Sequence, residues 1–188
     1  VPIYREGKLV SLQFIGADGG KRFLSGGNIE GGYASISGGT PSRDRILIAE
    51  GYATAASLHA ATGLPVVVAF NAGNLVPVAK AIRAKYPDAE IIIGADNDQW
   101  TVIRGKQVNV GIEKAKLAVD AVGGKASWPV FAAEDPERPT DWNDYCLRHG
   151  HEKTASAFLG VVVDPVWGES QGLPDGAAEP PADYPTGE

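Results

Sequence analysis

The sequence predicts an α/β fold: a mostly parallel sheet flanked by helices and preceded by a small antiparallel β subdomain. Two observations carry this. From Arg45 onward, short continuous apolar runs alternate with amphipathic stretches of helical period, which is how a parallel sheet buried on both faces reads. Before Thr40 the pattern is instead near-alternating and broken by glycine pairs, as in short antiparallel strands joined by turns.

In order along the chain, Lys8–Ile15 (KLVSLQFI) reads as a strand, Ala17-Asp18-Gly19-Gly20 as a turn and Lys21–Leu24 as the return strand. Gly26, Gly27, Gly31 and Gly32 punctuate the next stretch, and Tyr33–Ile36 reads as a third strand. Residues 1–40 are too few for a stable unit and should pack on the larger domain C-terminal to them. In that main domain, residues 41–160, strands are expected at Ile46–Ala49, Pro65–Phe70, Ile91–Ala95 and Lys125–Phe131. Helices are expected from about Tyr52 to Thr62, from Leu75 to Lys85, from Val110 to Val122 and from about Asn143 to Leu159. Gly63 and Gly123-Gly124 close two of them.

Composition narrows the class. A chain of 188 residues, 44% hydrophobic, buries one full core with at most a small satellite layer. No apolar run approaches the roughly 18 residues of a membrane helix, and the start is not a charged-then-apolar leader, so a cytoplasmic protein is expected. The single cysteine, Cys146, excludes an internal disulfide framework and reads as a half-buried helix residue. The absence of methionine and the start at Val1 read as an excised fragment. Residues 161–188, with Pro165, Pro174, Pro180, Pro181 and Pro185, have the composition of a linker. A net charge of −6 is not that of a free-standing nucleic-acid binder, but part of it sits in that tail and part is available to hold a cation.

Ligands of open α/β sheets bind beyond the carboxyl ends of the strands, and three of those ends carry acids. Glu50 follows ILIA, Asp96 and Asp98 follow IIIGA, and Asp141 and Asp144 stand in TDWND ahead of the last helix. Carboxylates brought together repel one another, and burial adds to the cost of ionising each. A hard divalent cation resolves that conflict, and magnesium or manganese prefers oxygen ligands. Taken singly, Asp141 or Asp144 reads equally as a helix N-cap and Asp96–Asp98 as a polar turn. Asn71-Ala72-Gly73-Asn74, between a strand and a helix, offers backbone amides to a phosphate, with Gly73 and Asn74 the candidate contacts. Neither a dinucleotide nor a phosphate-loop glycine motif is present. His59, His149 and His151 lack metal-ligand spacing.

These motifs, in this order, resemble the toprim domain shared by primases, type IA and II topoisomerases and some nucleases. ILIAEG (Ile46–Gly51) and IIIGADND (Ile91–Asp98) match its glutamate and Asp-x-Asp motifs. TDWND (Thr140–Asp144) matches the third acidic motif of phage and plasmid primase–helicases, with Thr140 where a lysine is frequent. Leu9–Gly27 is similar to the β segment that precedes toprim in mobile-element primases, and the resemblance spans roughly Lys8 to Leu159. It implies a Rossmann-like sheet and template-dependent nucleotidyl transfer, with RNA primers made from nucleoside triphosphates on single-stranded DNA. It further implies one or two magnesium ions held by Asp96, Asp98 and Asp141, Glu50 as ligand or general base, and Asp144 as a lesser ligand. A helicase domain in the same parent polypeptide is the expected partner.

Among the basic residues, Lys21 and Arg22 are candidates for tracking the template, Arg22 with Phe23 as a stacking neighbour. Arg104 and Lys106, past Asp98, are candidates for the incoming triphosphate; Arg5, Lys114 and Lys116 read as solvated charges. Two other classes stay open: a toprim nuclease or topoisomerase, and a non-catalytic nucleic-acid-binding module. For a topoisomerase nothing marks Tyr4, Tyr33, Tyr52, Tyr86, Tyr145 or Tyr184 as the nucleophile.

Overall fold

The structure, a computed structural model, describes residues 1–37 and 44–160. The expected linker at 161–188 lies outside the described residues. The chain opens with β1 (Pro2–Arg5), β2 (Lys8–Ile15), β3 (Lys21–Phe23) and β4 (Ala34–Ile36). It continues with β5 (Arg45–Ala49), α1 (Tyr52–Thr62), β6 (Val66–Val68), a 3-10 turn at Ala72–Asn74 and α2 (Leu75–Lys85). Then come β7 (Glu90–Gly94), a hairpin of β8 (Val102–Ile103) and β9 (Lys106–Gln107), α3 (Val110–Val122), β10 (Lys125–Ser127) and α4 (Trp142–Gly160), which is kinked at Gly150 (φ 77°) where a single unbroken helix is expected.

The main sheet has the order β10-β7-β5-β6-β4, parallel except for β4. Period-two alternation sorts its side chains between two cores. Ile46, Ile48, Val67, Ile91 and Ile93 face α2 and α3, where Val78, Ile82, Ala115 and Val119 meet them. Leu47, Ala49, Val66, Val68 and Ile92 face α1 and α4, against Leu58, Trp142 and Phe158. Gly94 owes its place in the IIIGA run to this second core: a Cβ there would come within 2.7 Å of Leu58 and 3.3 Å of Phe158. The chain leaves β5 toward β6 and later returns past it to β7, so the order reverses between β5 and β7. That is the switch point where such sheets open a crevice, and Glu50, Asp96 and Asp98 stand at it.

Four strands differ from the sequence reading: β1, β4, and the paired β8 and β9, which stand where no strand is expected. β1 has no counterpart in it; this strand pairs with β2 through a tight turn at Glu6 (φ 51°) and Gly7 (φ 77°). The third strand of the N-terminal segment does not extend that three-stranded sheet. Ala34–Ile36 pairs with β6 and forms the edge of the main sheet. Its small inward side chain, Ala34, joins the core under α1, and alternation alone does not say which sheet such a strand chooses. Cys146 is buried on α4, and no helix among the described residues is long and apolar enough to cross a membrane.

Asn74 ties the N-terminal segment to the sheet. Its Nδ2 donates to the carbonyls of Ile29 (3.0 Å), Gly32 (3.0 Å) and Ala69 (2.8 Å), and its Oδ1 accepts from Gly31 N–H at 2.7 Å.

Candidate active site

Each acid is held by a different device. Glu50 leaves the end of β5, and its carboxylate accepts the backbone N–H of Ala72. The glycine-containing turn after β6 therefore directs an amide at Glu50. Asp98 follows β7; its Oδ2 accepts Gly111 N–H at 2.8 Å, and its own N–H donates to Asn109 Oδ1 at 3.0 Å. Asn109 also caps α3 through Ile112 N–H and bonds Asn97, so the Asp-x-Asp loop and the start of α3 form one unit. Gly111 is required by contact: a Cβ there would fall 2.3 Å from the Asp96 carbonyl oxygen. Asp141 caps α4, accepting Asp144 N–H at 2.8 Å, and takes a second bond from Thr54 Oγ1 on α1 at 3.0 Å.

Asp96 stands among them. Burial pushes its carboxyl up to about 8, and the charges of Glu50, Asp141 and Asp98 add to that, with Lys21 opposing. Its Oδ1 is buried and has no hydrogen-bond partner. Glu50 is raised first by burial and then by Asp98 and Asp141, against the Ala72 amide and Lys21. Asp141 is raised by burial and by Asp144, against bonds from Asp144 N–H, Thr54 and Asn143. Glu50, Asp96, Asp98 and Asp141 thus share one electrostatic site. Among the described residues, however, no three His, Cys, Asp or Glu side chains form a ready-made metal-holding group.

Oxygen donors, mutual repulsion and an orphaned buried carboxylate oxygen suit a hard divalent cation completed by a substrate's phosphates, as magnesium sites commonly are. The residues fit magnesium or manganese as a shared site, not as a closed cage.

The other sequence candidates separate. Asp144 folds back to accept Thr140 N–H at 2.8 Å while its own N–H binds Asp141, a reciprocal capping arrangement that commits it to α4. Asn74 spends its amide on the clamp, and its backbone N–H on Asn71, so it has little left for a phosphate. Gly73 remains exposed on that turn. Lys21 and Arg22, adjacent on β3, point to opposite faces. Phe23, on the Lys21 face, meets Phe70 edge-on at 6.2 Å, and the Lys21 ammonium reaches to 3.8 Å from where a Cβ on Gly51 would stand. It acts on both Glu50 and Asp96. Arg22 lies outward beside Phe14. Arg104 and Lys106 are on the exposed β8–β9 hairpin, and neither is among the charges shaping Glu50, Asp96 or Asp141.

Sequence reasoning misses Thr54, Asn97, Asn109 and Gly111, and reads the amides of the Ala72 turn as phosphate contacts where that of Ala72 serves Glu50. Only Asn109 carries a readable signal, as an N-cap residue ahead of a helical pattern.

A toprim domain model matches residues 45–152, which contain all of these acids. The chain belongs to the toprim family. Two relatives, each described as DNA primase TraC from Escherichia coli, extend the likeness. One is 43% identical over 138 residues, covering 72% of this chain and 10% of the relative. The other is 36% identical over 173 residues, covering 86% of this chain and 16% of the relative. The toprim chain therefore spans under a fifth of the length of these relatives. No solved structure matches it.

Proposed function

We propose that this toprim domain catalyses metal-dependent nucleotidyl transfer, making RNA primers from nucleoside triphosphates on single-stranded DNA. The observation that carries the reading is Asp96, a carboxylate with an orphaned oxygen among Glu50, Asp98 and Asp141 at the switch point of the sheet. The name printed for the relatives, DNA primase TraC, supports the reaction class. Glu50, Asp96, Asp98 and Asp141 are the residues that would hold one or two magnesium or manganese ions. When bound, such ions lower the pKa of an attacking 3′-hydroxyl and offset charge on the triphosphate and departing pyrophosphate.

The chain's own groups do the positioning. The Ala72 amide orients Glu50, the α3 cap fixes Asp98, and Thr54 with the α4 cap fixes Asp141. Acids held this way need little reorganisation when charge develops on the substrate. Lys21 places a cation beside them from β3, in a chain whose third motif has Thr140 where a lysine is frequent. Its role is to offset the acids' repulsion and meet the triphosphate.

The test is primer synthesis on single-stranded DNA with magnesium or manganese, comparing the chain with Asp96→Asn. Loss of synthesis by orders of magnitude in a folded variant is expected. A wild-type chain that makes no primer but nicks supercoiled DNA belongs to the nuclease class instead.

A further inference from the structure

The β8–β9 hairpin is left unused by the acidic site, yet it is built onto it. Its root is the Asp-x-Asp loop: Thr101 N–H donates to Asp98 carbonyl oxygen at 2.9 Å, and Val108 N–H to Thr101 at 2.9 Å. Trp100 pins the same root to the loop ahead of Asp141, its Nε1 donating to the Pro139 carbonyl at 3.0 Å. Gln107 closes back onto the Gln99 carbonyl. The hairpin thus has a fixed position relative to Asp98 and Asp141. Its turn, Arg104 (φ 51°) and Gly105 (φ 79°), is the tight two-residue type that matches strand twist.

Residues 99–112 (QWTVIRGKQVNVGI) hold Arg104 and Lys106 and no acid, in a chain of net charge −6. Val102 is 64% exposed and Ile103 47% exposed, so a β-branched pair stands in solvent between the root and a cationic tip. An extended polyanion that leaves the acidic site and passes the hairpin would meet phosphate-pairing charge and apolar contact together.

We propose that the β8–β9 hairpin is a contact arm for the primer–template duplex, with Arg104 and Lys106 on backbone phosphates and Ile103, which shares a face with Lys106, against its sugars. The assignment rests on the nucleotidyl-transfer reading, since it takes the duplex to be that reaction's product. The occupant follows from charge complementarity: a double-stranded product carries the dense, continuous phosphate charge that two cations on a hairpin rooted in the Asp-x-Asp loop can engage.

The experiment is equilibrium binding of a preformed RNA–DNA hybrid and of single-stranded DNA to the 188-residue chain, without metal or nucleotide, across a salt series. Arg104→Asn with Lys106→Gln keeps the turn, because asparagine favours that position. This variant should weaken hybrid binding about tenfold and reduce the salt slope by about two, one for each lost phosphate contact. Ile103→Thr should weaken hybrid binding with the slope unchanged. Single-stranded DNA binding should move little in either. Hybrid binding and slope that match wild type in both variants overturn the proposal. So does a result in which single-stranded DNA binding falls as much as hybrid binding. Because the readout is binding without turnover, failure of primer synthesis and failure of the arm are separate results.

Discussion

Replacing Asp96 by asparagine should stabilise the metal-free protein at alkaline pH while abolishing its proposed chemistry. In the folded chain the carboxyl is pushed from an ordinary 3.8 up to about 8, first by burial and then by Glu50, Asp141 and Asp98. Between those values the folded state keeps a proton that the unfolded chain releases. Stability of the wild type therefore falls as pH rises through this window, and the full penalty is present above about 8. At about 1.4 kcal/mol per pH unit, the part crossed between pH 5 and 8 is on the order of 4 kcal/mol. The asparagine side chain carries no charge, and its amide can donate to neighbouring carboxylates, so most of that slope should vanish. The assay is urea denaturation in a chelator at pH 5, 6.5 and 8. The variant should be more stable than wild type by roughly 2–4 kcal/mol at pH 8, allowing for imperfect amide pairing, and nearly equal at pH 5. Adding millimolar magnesium should narrow the difference, because binding to the folded state stabilises only a chain that retains its ligands. If the two proteins keep parallel pH profiles, Asp96 is not the strained acid of the site.

The two neighbours on β3 should part company. Lys21→Ala, removing the cation that acts on Glu50 and Asp96, should lower primer synthesis at least tenfold at saturating template. Arg22→Ala, on the outward face, should leave that rate within about twofold; equal losses in steady-state kinetics would refute the division. Asn74→Ala strips partners from three carbonyls and one N–H. It should cost about 2–4 kcal/mol in denaturant unfolding without raising the nucleotide KM of the remaining folded protein. Asp144→Ala removes one arm of the α4 cap and should cost about 1 kcal/mol, with magnesium dependence of synthesis unchanged. Gly111→Ala should shift the start of α3 away from the Asp96 carbonyl. Its magnesium requirement should then rise more than its melting temperature falls.

How much of this is legible in the sequence differs from element to element. β5, β6 and β7 can be read because burial on both faces leaves continuous apolar runs, and glycines mark helix ends such as Gly63 and Gly123; the place of β4 in the main sheet and the break in α4 at Gly150 cannot. The acids at the strand ends are readable for the same reason: topology alone puts the residues after β5 and β7 at one crevice. The hydrogen bonds that decide what each polar residue does are not legible, since they join partners distant in sequence. Asn74 reads as a phosphate contact until Ile29, Gly31 and Gly32 come within reach of its amide. Asp144 reads equally as a lesser ligand or a helix cap, and its bond from Thr140 N–H favours the cap. Lys21 and Arg22 are equivalent as adjacent cations, and pairing register sends one to the acids and the other to solvent. Sequence by itself determined the fold class and the placing of Glu50, Asp96 and Asp98 just after β5 and β7, because periodicity and chain order are local and topological properties. Tertiary structure decided which of the polar groups are free to act, because a buried donor or acceptor takes whatever partner packing brings to it.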